Sequence, residues 1–313
     1  MRAARRVVMV PLVVLLDVLV LALTPLALLC AAMAAVATMS TLPVRSVLLV
    51  AAYAAVELSL LPTALRPRSD WNALLRDALG AAYALLRAVL DVHVALEDGS
   101  VTPAQLAGRG PLVVLARHCG PGDSLFIAWV LVVHYRLRLG VVLKSALRLE
   151  PLVDLAGDHL PLCFVRRGRG RTRNGVRALA AAMVPGDALL LFPEGGNFTW
   201  PRWQRAIAKL AASGRHPAAR RARTRTHTLP PHHGGAGAAL SGAPTADVLL
   251  LTHSGFAPDG RDRPWWLLPV HRTLLMRTTV VPSASVPRDE PALTAWLDAA
   301  WSTVDNWVAG HST

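Results

Sequence analysis

Cysteine is scarce in this chain of 313 residues. Its three cysteines, Cys30, Cys119 and Cys163, have neither the spacing of metal ligands nor the pairing of a disulfide framework. These observations exclude a cysteine-based zinc site and a disulfide-stapled scaffold, and they indicate a reducing compartment. Internal repeats are also absent from the sequence.

Acidic residues are few relative to basic ones. The chain has 20 Asp and Glu against 33 Lys and Arg, a net charge of +13 and a pI near 11.2. Such a balance favours an anionic partner, either phospholipid or nucleic acid. Hydrophobic residues make up 53% of the chain and the mean hydropathy is +0.39. Because no nucleic-acid-binding motif is present, we expect an anionic phospholipid membrane as the partner and no nucleic acid.

An apolar run longer than a membrane span opens the chain. Residues 1–6 are basic, residues 7–38 are almost continuously apolar, and residues 46–65 form a second apolar stretch. A spanning helix needs about 20 such residues, so the sequence predicts a transmembrane helical hairpin over residues 1–65. A cleaved signal peptide has a shorter apolar core, although the Ala-rich residues 30–37 leave that alternative open.

Arginines flank the outer ends of this pair. Arg66, Arg68 and Arg76 follow the second stretch, whereas the short middle loop holds only Arg45. The positive-inside rule then places the start of the chain and everything after Arg66 in the cytoplasm. The alternative is one spanning helix followed by an amphipathic or re-entrant segment.

After a predicted amphipathic helix over residues 71–91, short apolar runs alternate with helical patterns. The predicted strands are 112–116, 140–143, 163–165, 188–192, 247–252 and 278–281. The predicted helices are 123–136, 150–160, 172–183, 203–212 and 292–308. Such alternation predicts an α/β fold with a mainly parallel sheet flanked by helices. We therefore expect a membrane anchor over 1–65, an α/β domain over 66–313, and an exposed, mobile loop over 213–233.

An imidazole and a carboxylate stand on either side of a glycine-rich turn. His118 and Asp123 are separated by Cys119 and the sequence Gly120-Pro121-Gly122. On one regular helix the two side chains would point in different directions, but a strand, a tight turn and a helix start can bring them together. His118 then suits a general base and Asp123 its orienting carboxylate. The alternative roles are an ordinary loop histidine and a helix cap.

A second short motif ends a predicted strand. Phe192-Pro193-Glu194-Gly195 places a carboxylate in a tight turn after an apolar run. Without further context, the proline and glycine indicate only a turn, since glycine permits a positive φ. The order of the two motifs behind an apolar anchor is the informative observation.

Together the motifs resemble those of the glycerolipid acyltransferase family, the 1-acylglycerol-3-phosphate acyltransferase type, which carries His-x4-Asp followed by Phe-Pro-Glu-Gly. The likeness extends from about residue 111 to the C-terminus, where the later part is most similar to the lysocardiolipin-type branch. It implies His118 and Asp123 as catalytic residues. It also implies that Phe192, Pro193, Glu194 and Gly195 shape the acceptor site.

The family's second and fourth motifs also have counterparts. Arg167, with Arg166 as a rival, matches an arginine that holds the acceptor's phosphate, and residues 229–235 resemble a motif with a proline after a short strand. One departure concerns Asn197, which stands where the family commonly has arginine. Either a nearby arginine such as Arg202 compensates, or the acceptor differs, or the activity is weakened.

The resemblance implies a membrane-bound acyltransferase that moves a fatty acyl group from acyl-CoA to the free hydroxyl of lysophosphatidate or a related lysophospholipid. Acyl carrier protein is the alternative acyl donor. Acyl-CoA is a co-substrate; no cofactor and no metal are expected. Catalysis also requires an oxyanion partner; a backbone N–H near Gly120 is one candidate, and no sequence feature identifies it. The alternative from another class is a non-catalytic lipid-binding or scaffold protein on the same fold.

Overall fold

The computed structural model describes residues 2–67, 69–120, 122–165, 169–255 and 270–311. In these residues the strands are β1 (Val92–Leu96), β2 (Leu112–Ala116), β3 (Arg138–Lys144), β4 (Leu162–Val165), β5 (Asp187–Leu191), β6 (Asp247–His253) and β7 (Arg272–Val281). The α-helices are α1 (Arg2–Thr38), α2 (Leu42–Ala64), α3 (Trp71–Leu90), α4 (Pro103–Leu106), α5 (Asp123–Trp129), α6 (Pro151–Ala156), α7 (Arg169–Ala181), α8 (Trp200–Ala212), α9 (His216–Thr224), α10 (His233–Gly242) and α11 (Glu290–Gly310).

The strands form one sheet in the order β1-β7-β6-β2-β5-β3-β4. β2 lies between β5 and β6 and is parallel to both, and β3 is parallel to β5. β7 is antiparallel to β6. All five residues of β2 are buried, as expected of a parallel strand covered on both faces. The predicted α/β fold with a mainly parallel, helix-flanked sheet is confirmed.

Helices α7, α10 and α11 cover a core built on the central strands. Val176 of α7, Ala239 of α10 and Trp301 of α11 pack in one cluster with Val113 and Leu189 of the sheet. Trp301 is fully buried. A Cβ on Gly242, at the end of α10, would lie 2.3 Å from a backbone oxygen of α7, so the small residues of α10 permit this close helix contact.

The chain divides into two compact units. One contains the residues up to Val92, the segment Leu143–Leu162 and His271. The other contains His93–Val142, the described residues between Cys163 and Gly255, and the chain from Arg272 onward. The domain boundary expected at residue 65 stays a prediction.

In the first unit, the N-terminal helices form the expected hairpin. α1 and α2 pack against each other and are joined by a short turn at Met39. The apolar stretch of α1 runs for 35 residues, Ala4–Thr38, and α2 has 23 residues. Both exceed the ~20 residues that a membrane span needs, so each is long and apolar enough to cross a bilayer.

The basic start of α1 is paired with acidic residues of the same unit. Arg5 contacts Asp154, and Arg6 lies 3.0 Å from Asp154 and 2.7 Å from Asp158. Asp154 belongs to α6, which lies in the segment Leu143–Leu162. This segment between β3 and β4 therefore packs with the N-terminal helices.

The prediction of an exposed, mobile loop over residues 213–233 is wrong. Residues 216–224 form α9, and Ala219 and Ala222 pack against Ile207 of α8. Alanines three apart make a small apolar stripe on a helix, which the many arginines and histidines obscure. The chain then continues through buried Arg225 and Leu229.

Other differences concern element bounds. The strand expected before the proline at residue 230 is absent, because residues 225–232 form neither helix nor strand. The helix predicted over 123–136 is α5 followed by a π-helix, Val130–His134. The helix predicted over 150–160 is shorter, and β1 and α10 were not predicted.

Candidate active site

The candidate site lies where three adjacent parallel strands end. His118 follows β2, Phe192 and Glu194 follow β5, and His253 is the last residue of β6. Carboxyl ends of parallel strands meet at one edge of a sheet, the usual place for a site in such folds. The topology thus brings together residues that are far apart in sequence.

His118 and Asp123 form the expected pair. The His118 Nδ1 atom lies 2.9 Å from the Asp123 carboxylate. Gly122, with φ of +90°, makes the turn that returns the chain to the start of α5. The Asp123 side chain is 1% exposed, whereas 22% of the His118 side chain is exposed. Because Nδ1 contacts Asp123, Nε2 is the ring nitrogen that can face a substrate.

The Asp123 carboxylate also organises the turn. Its Oδ2 accepts hydrogen bonds from the backbone N–H groups of Cys119 (2.7 Å) and Gly120 (3.2 Å). Burial acts to raise the pKa of Asp123, but the hydrogen bond and charge of His118 hold that pKa below its usual value. Since these two amides donate to Asp123, the expected oxyanion donor near Gly120 is neither of them.

Glu194 joins the two motifs through backbone hydrogen bonds. Its Oε1 accepts from the His118 N–H (3.1 Å) and its Oε2 from the Leu229 N–H (2.8 Å). Burial raises the pKa of Glu194 to about 7, while the Arg117 guanidinium and these donors oppose the shift. Glu194 therefore acts as a brace that fixes the backbone on which His118 stands.

Phe192, Pro193 and Gly195 complete the Phe-Pro-Glu-Gly motif beside His118. The Phe192 and His118 rings are 4.6 Å apart, tilted by 33°. The Pro193 carbonyl accepts a hydrogen bond from the His232 N–H (2.7 Å). Gly195 has φ of +69°, and a Cβ there would lie 3.2 Å from the His232 ring. Only glycine fits this turn without strain.

A second histidine, not found from the sequence, lies on the other side of Asp123. His253 Nε2 is 3.6 Å from Asp123 Oδ2 and 3.1 Å from the Arg117 carbonyl oxygen, and its Nδ1 is 3.7 Å from Cys119 Sγ. Burial lowers the pKa of His253 to about 4, although the Asp123 carboxylate opposes the shift. The sequence signal for His253 was limited to its place at the end of the apolar run 247–252, and its contact with Asp123 follows only from the pairing of β6 with β2.

Arg117 ties these strand ends to the segment before Leu229. Its guanidinium donates to the carbonyls of His253 (2.8 Å) and His227 (2.9 Å). Cys119, Asp123 and His253 also offer donor atoms within 4.8 Å of one another, a spacing that could hold a metal ion. In the structure Cys119 Sγ contacts His253, and His253 and His118 both contact the Asp123 carboxylate.

The expected phosphate contacts divide into two groups. Arg166 and Arg167 lie outside the described residues. Arg202, by contrast, donates to the Asn197 carbonyl (3.3 Å), and its guanidinium would lie 3.0 Å from a Cβ on Gly196. Arg202 thus places a cation beside the position where the family commonly has arginine.

Comparisons with known proteins bear on the family and the fold of the chain. Residues 96–248 match the family model described as Acyltransferase. Among solved structures, the chain is similar to the 1-acyl-sn-glycerophosphate (LPA) acyltransferase PlsC from Thermotoga maritima. The TM-score is 0.52 and the identity 15%, over 83% of this chain and 89% of that chain. No curated protein sequence matches the chain. The model match spans both motifs and supports a glycerolipid acyltransferase family, and the structural likeness shows the fold.

Proposed function

We propose that the protein transfers a fatty acyl group from acyl-CoA to the free hydroxyl of lysophosphatidate or a related lysophospholipid. The observation that carries this proposal is the 2.9 Å contact between His118 Nδ1 and the buried Asp123 carboxylate. Such a pair fixes the imidazole tautomer and stabilises the imidazolium that forms during proton transfer.

In the proposed reaction, His118 Nε2 accepts the proton of the acceptor hydroxyl as its oxygen bonds to the thioester carbonyl carbon. The tetrahedral intermediate then loses the CoA sulfur as the C–S bond breaks, and the imidazolium returns the proton to that sulfur. Asp123 stays ionised throughout, in line with its lowered pKa. General-base help of this kind contributes ~10²–10⁴ in rate.

For the acceptor, we propose that Arg202 replaces the charge absent at Asn197. The guanidinium offers paired donors that suit a phosphate. Its contact with the Asn197 carbonyl keeps it beside the Phe-Pro-Glu-Gly motif. Arg167 remains a proposed second contact. The Thermotoga maritima protein is described as acting on 1-acyl-sn-glycerophosphate, which supports a phosphate-bearing acceptor here.

We further propose that α1 and α2 anchor the protein in an anionic phospholipid membrane with the catalytic domain on the cytoplasmic side. The length and apolar character of both helices support the anchor, and the arginines after residue 65 support the orientation. Protease protection of tags at both ends of the chain tests it. Tags on opposite sides of the bilayer would contradict a hairpin and leave one span.

The deciding experiment is acyl transfer by the full chain in lipid nanodiscs, with labelled acyl-CoA and a panel of lysolipids. We expect transfer to lysophosphatidate or a close relative. A folded, lipid-binding protein that transfers to none of them would instead support the scaffold function.

Arg202→Ala tests the acceptor site. Losing a hydrogen bond to a charged group costs about 1.5–3 kcal/mol, so the acceptor KM should rise roughly ten- to a hundred-fold with little change in the acyl-CoA KM. Arg205→Ala is the matched control, because Arg205 is exposed and donates to a carbonyl of its own helix. Equal acceptor KM values in both variants would remove Arg202 from the acceptor site.

A further inference from the structure

A cavity of about 300 Å³ lies beside the segment that leads to the active site. Helices α8, α9 and α11 and the prolines before α10 contribute its walls. Part of the wall is apolar, from Leu210, Pro217, Pro230, Pro231 and Leu297. None of these residues belongs to the pair of His118 and Asp123.

Cations dominate the ionisable groups of this cavity. Arg215, Arg221 and Arg225 line it together with His233, and Asp298 is the one carboxylate among the described lining residues. Both Arg221 and Arg225 contact Asp298, at 3.0 Å and 3.1 Å. Three guanidinium groups therefore face one carboxylate, which leaves an excess of positive charge for an anion.

The surrounding sequence adds to this excess. Between Glu194 and Asp247 the chain contains no acidic residue. Exposed arginines lie on and next to α9, among them Arg220 and Arg223. This part of the protein therefore attracts an anionic ligand.

Arg225 is built into the cavity wall rather than placed on the surface. Its side chain is 3% exposed, its NH1 and NH2 groups donate to Asp298, and its carbonyl accepts from the Trp203 indole N–H. Its Nε atom is buried without a hydrogen-bond partner among the described residues. The guanidinium of Arg225 thus contributes a fixed positive charge to the cavity wall.

The cavity is connected to the base through consecutive residues. Leu229 donates to Glu194, which in turn accepts from the His118 N–H. Pro230, Pro231 and His233 follow directly and line the cavity. The backbone that braces the catalytic turn is therefore also a wall of this cavity.

We propose that the cavity binds the nucleotide end of the acyl donor, with the arginines on its phosphates and the apolar wall against its adenine ring. The choice of donor rests on the proposed function. Acyl-CoA carries three phosphate groups and an aromatic base, separated from the thioester by the pantetheine arm. A site for the nucleotide must therefore lie apart from His118. Binding energy from such a remote group can hold the thioester in its reactive position.

Calorimetric titration of the full chain in detergent micelles with adenosine 3′,5′-bisphosphate tests the proposal. Arg215→Ala and Arg221→Ala should each weaken binding roughly ten- to a hundred-fold, the effect of losing a hydrogen bond to a charged group. Arg223→Ala is the matched control, since Arg223 is exposed on α9 and outside the cavity lining. Equal binding by all three variants would overturn the proposal, as would the absence of binding to the wild type.

Two further probes separate the sources of phosphate. Inorganic phosphate should bind much more weakly than the bisphosphate, because it lacks the adenine ring. Phosphatidylglycerol vesicles should not displace the bisphosphate. If they do, and if Arg215→Ala and Arg221→Ala weaken vesicle binding equally, the cavity holds a lipid headgroup and the nucleotide assignment is overturned.

Kinetics with a truncated donor distinguish this proposal from the proposed function. The cavity variants should raise the KM for acyl-CoA but not for acyl-pantetheine, which lacks the nucleotide. If every cavity variant keeps the wild-type KM for acyl-CoA as well as for acyl-pantetheine, the nucleotide site is overturned while acyl transfer stands. If the protein transfers no acyl group but Arg221→Ala still weakens bisphosphate binding, the proposed function fails and the nucleotide site stands.

Discussion

Two histidines approach the Asp123 carboxylate from neighbouring strand ends. His118, after β2, lies 2.9 Å from it, and 22% of the His118 side chain is exposed. His253, at the end of β6, lies 3.6 Å from it, and its side chain is 1% exposed. Two histidines beside the same carboxylate thus differ in environment, because His118 is partly exposed and His253 is buried.

The two histidines differ in which ring nitrogen remains to contact a substrate. A neutral His253 uses both of its ring nitrogens when Nε2–H donates to the Arg117 carbonyl and Nδ1 faces Cys119. His118 uses only Nδ1 on the carboxylate. Burial, which lowers the pKa of His253 to about 4, makes it a poor proton acceptor at neutral pH. On exposure and hydrogen bonding we therefore propose His118 as the proton acceptor and His253 as a positioning residue.

Removing each histidine in turn is the strongest test of this comparison. His118→Ala should lower kcat by ~10²–10⁴, the usual contribution of a general base, with an unchanged unfolding midpoint. His253→Ala should instead lower stability by about 1–3 kcal/mol, because it leaves a buried carbonyl unsatisfied. Acyl-transfer assays and thermal unfolding of both variants decide the matter. An equal loss of kcat in a fully folded His253→Ala would make both histidines catalytic.

The pH dependence of stability sharpens the comparison further. Between pH 6.5 and about 4 the unfolded chain protonates His253 and the native protein does not, so its contribution is present above pH 6.5 and is lost as pH falls to about 4. A pKa change of about 2.5 units corresponds to roughly 3 kcal/mol. Replacing His253 with Gln should remove this loss.

Glu194 titrates with the opposite sign, which fixes how that measurement is made. Its folded pKa is raised to about 7, so stability due to Glu194 increases as pH falls from 7 towards 4.5. The quantity to measure is therefore the difference between wild type and His253→Gln in the unfolding midpoint, taken at each pH. Parallel curves for the two proteins would show that His253 does not titrate between pH 6.5 and 4.

The two histidines also show what the sequence could and could not reveal. His118 stands in a local motif, and its partner is only five positions away, so the pattern itself indicates the pair. His253 meets Asp123 only because β6 pairs with β2, a contact between residues 130 positions apart that no local pattern records. Most strands could be predicted because a local pattern does record them: parallel strands buried on both faces are continuous apolar runs.

The prediction of an exposed loop over residues 213–233 failed for a different physical reason. Their arginines and histidines suggested an exposed loop, but α9 forms through a small apolar stripe that packs on α8. Buried Arg225 is neutralised by Asp298 of α11, which lies far along the chain. Tertiary pairing of this kind overrides the local polarity of a segment.

Glu194→Gln tests whether the position of His118 depends on the two backbone hydrogen bonds that Glu194 accepts. An amide group can accept only one of the two backbone hydrogen bonds, and its NH₂ group would face the other N–H. We expect a loss of about 1–3 kcal/mol in the free energy of unfolding, together with a lower kcat. Denaturant unfolding and transfer assays check this, with Asp98→Asn, at an exposed carboxylate, as the control. A fully stable but inactive Glu194→Gln would mean that Glu194 contacts substrate rather than backbone.

The smallest expected effect separates backbone strain from the geometry of the site. Gly195 and Gly214 have similar φ values, +69° and +74°, but a Cβ on Gly195 would lie 3.2 Å from the His232 ring, and a Cβ on Gly214 would meet nothing within 4 Å. Each alanine variant should lose ~1–2 kcal/mol of stability from the left-handed conformation. Only Gly195→Ala should also lower kcat/KM, by at most ~10²-fold, because a small displacement at the turn misplaces Phe192 and Glu194 against His118. Unfolding and transfer measured on both variants check this. An equal loss of activity in Gly214→Ala would mean that the fall in kcat/KM follows from general destabilisation and not from the turn.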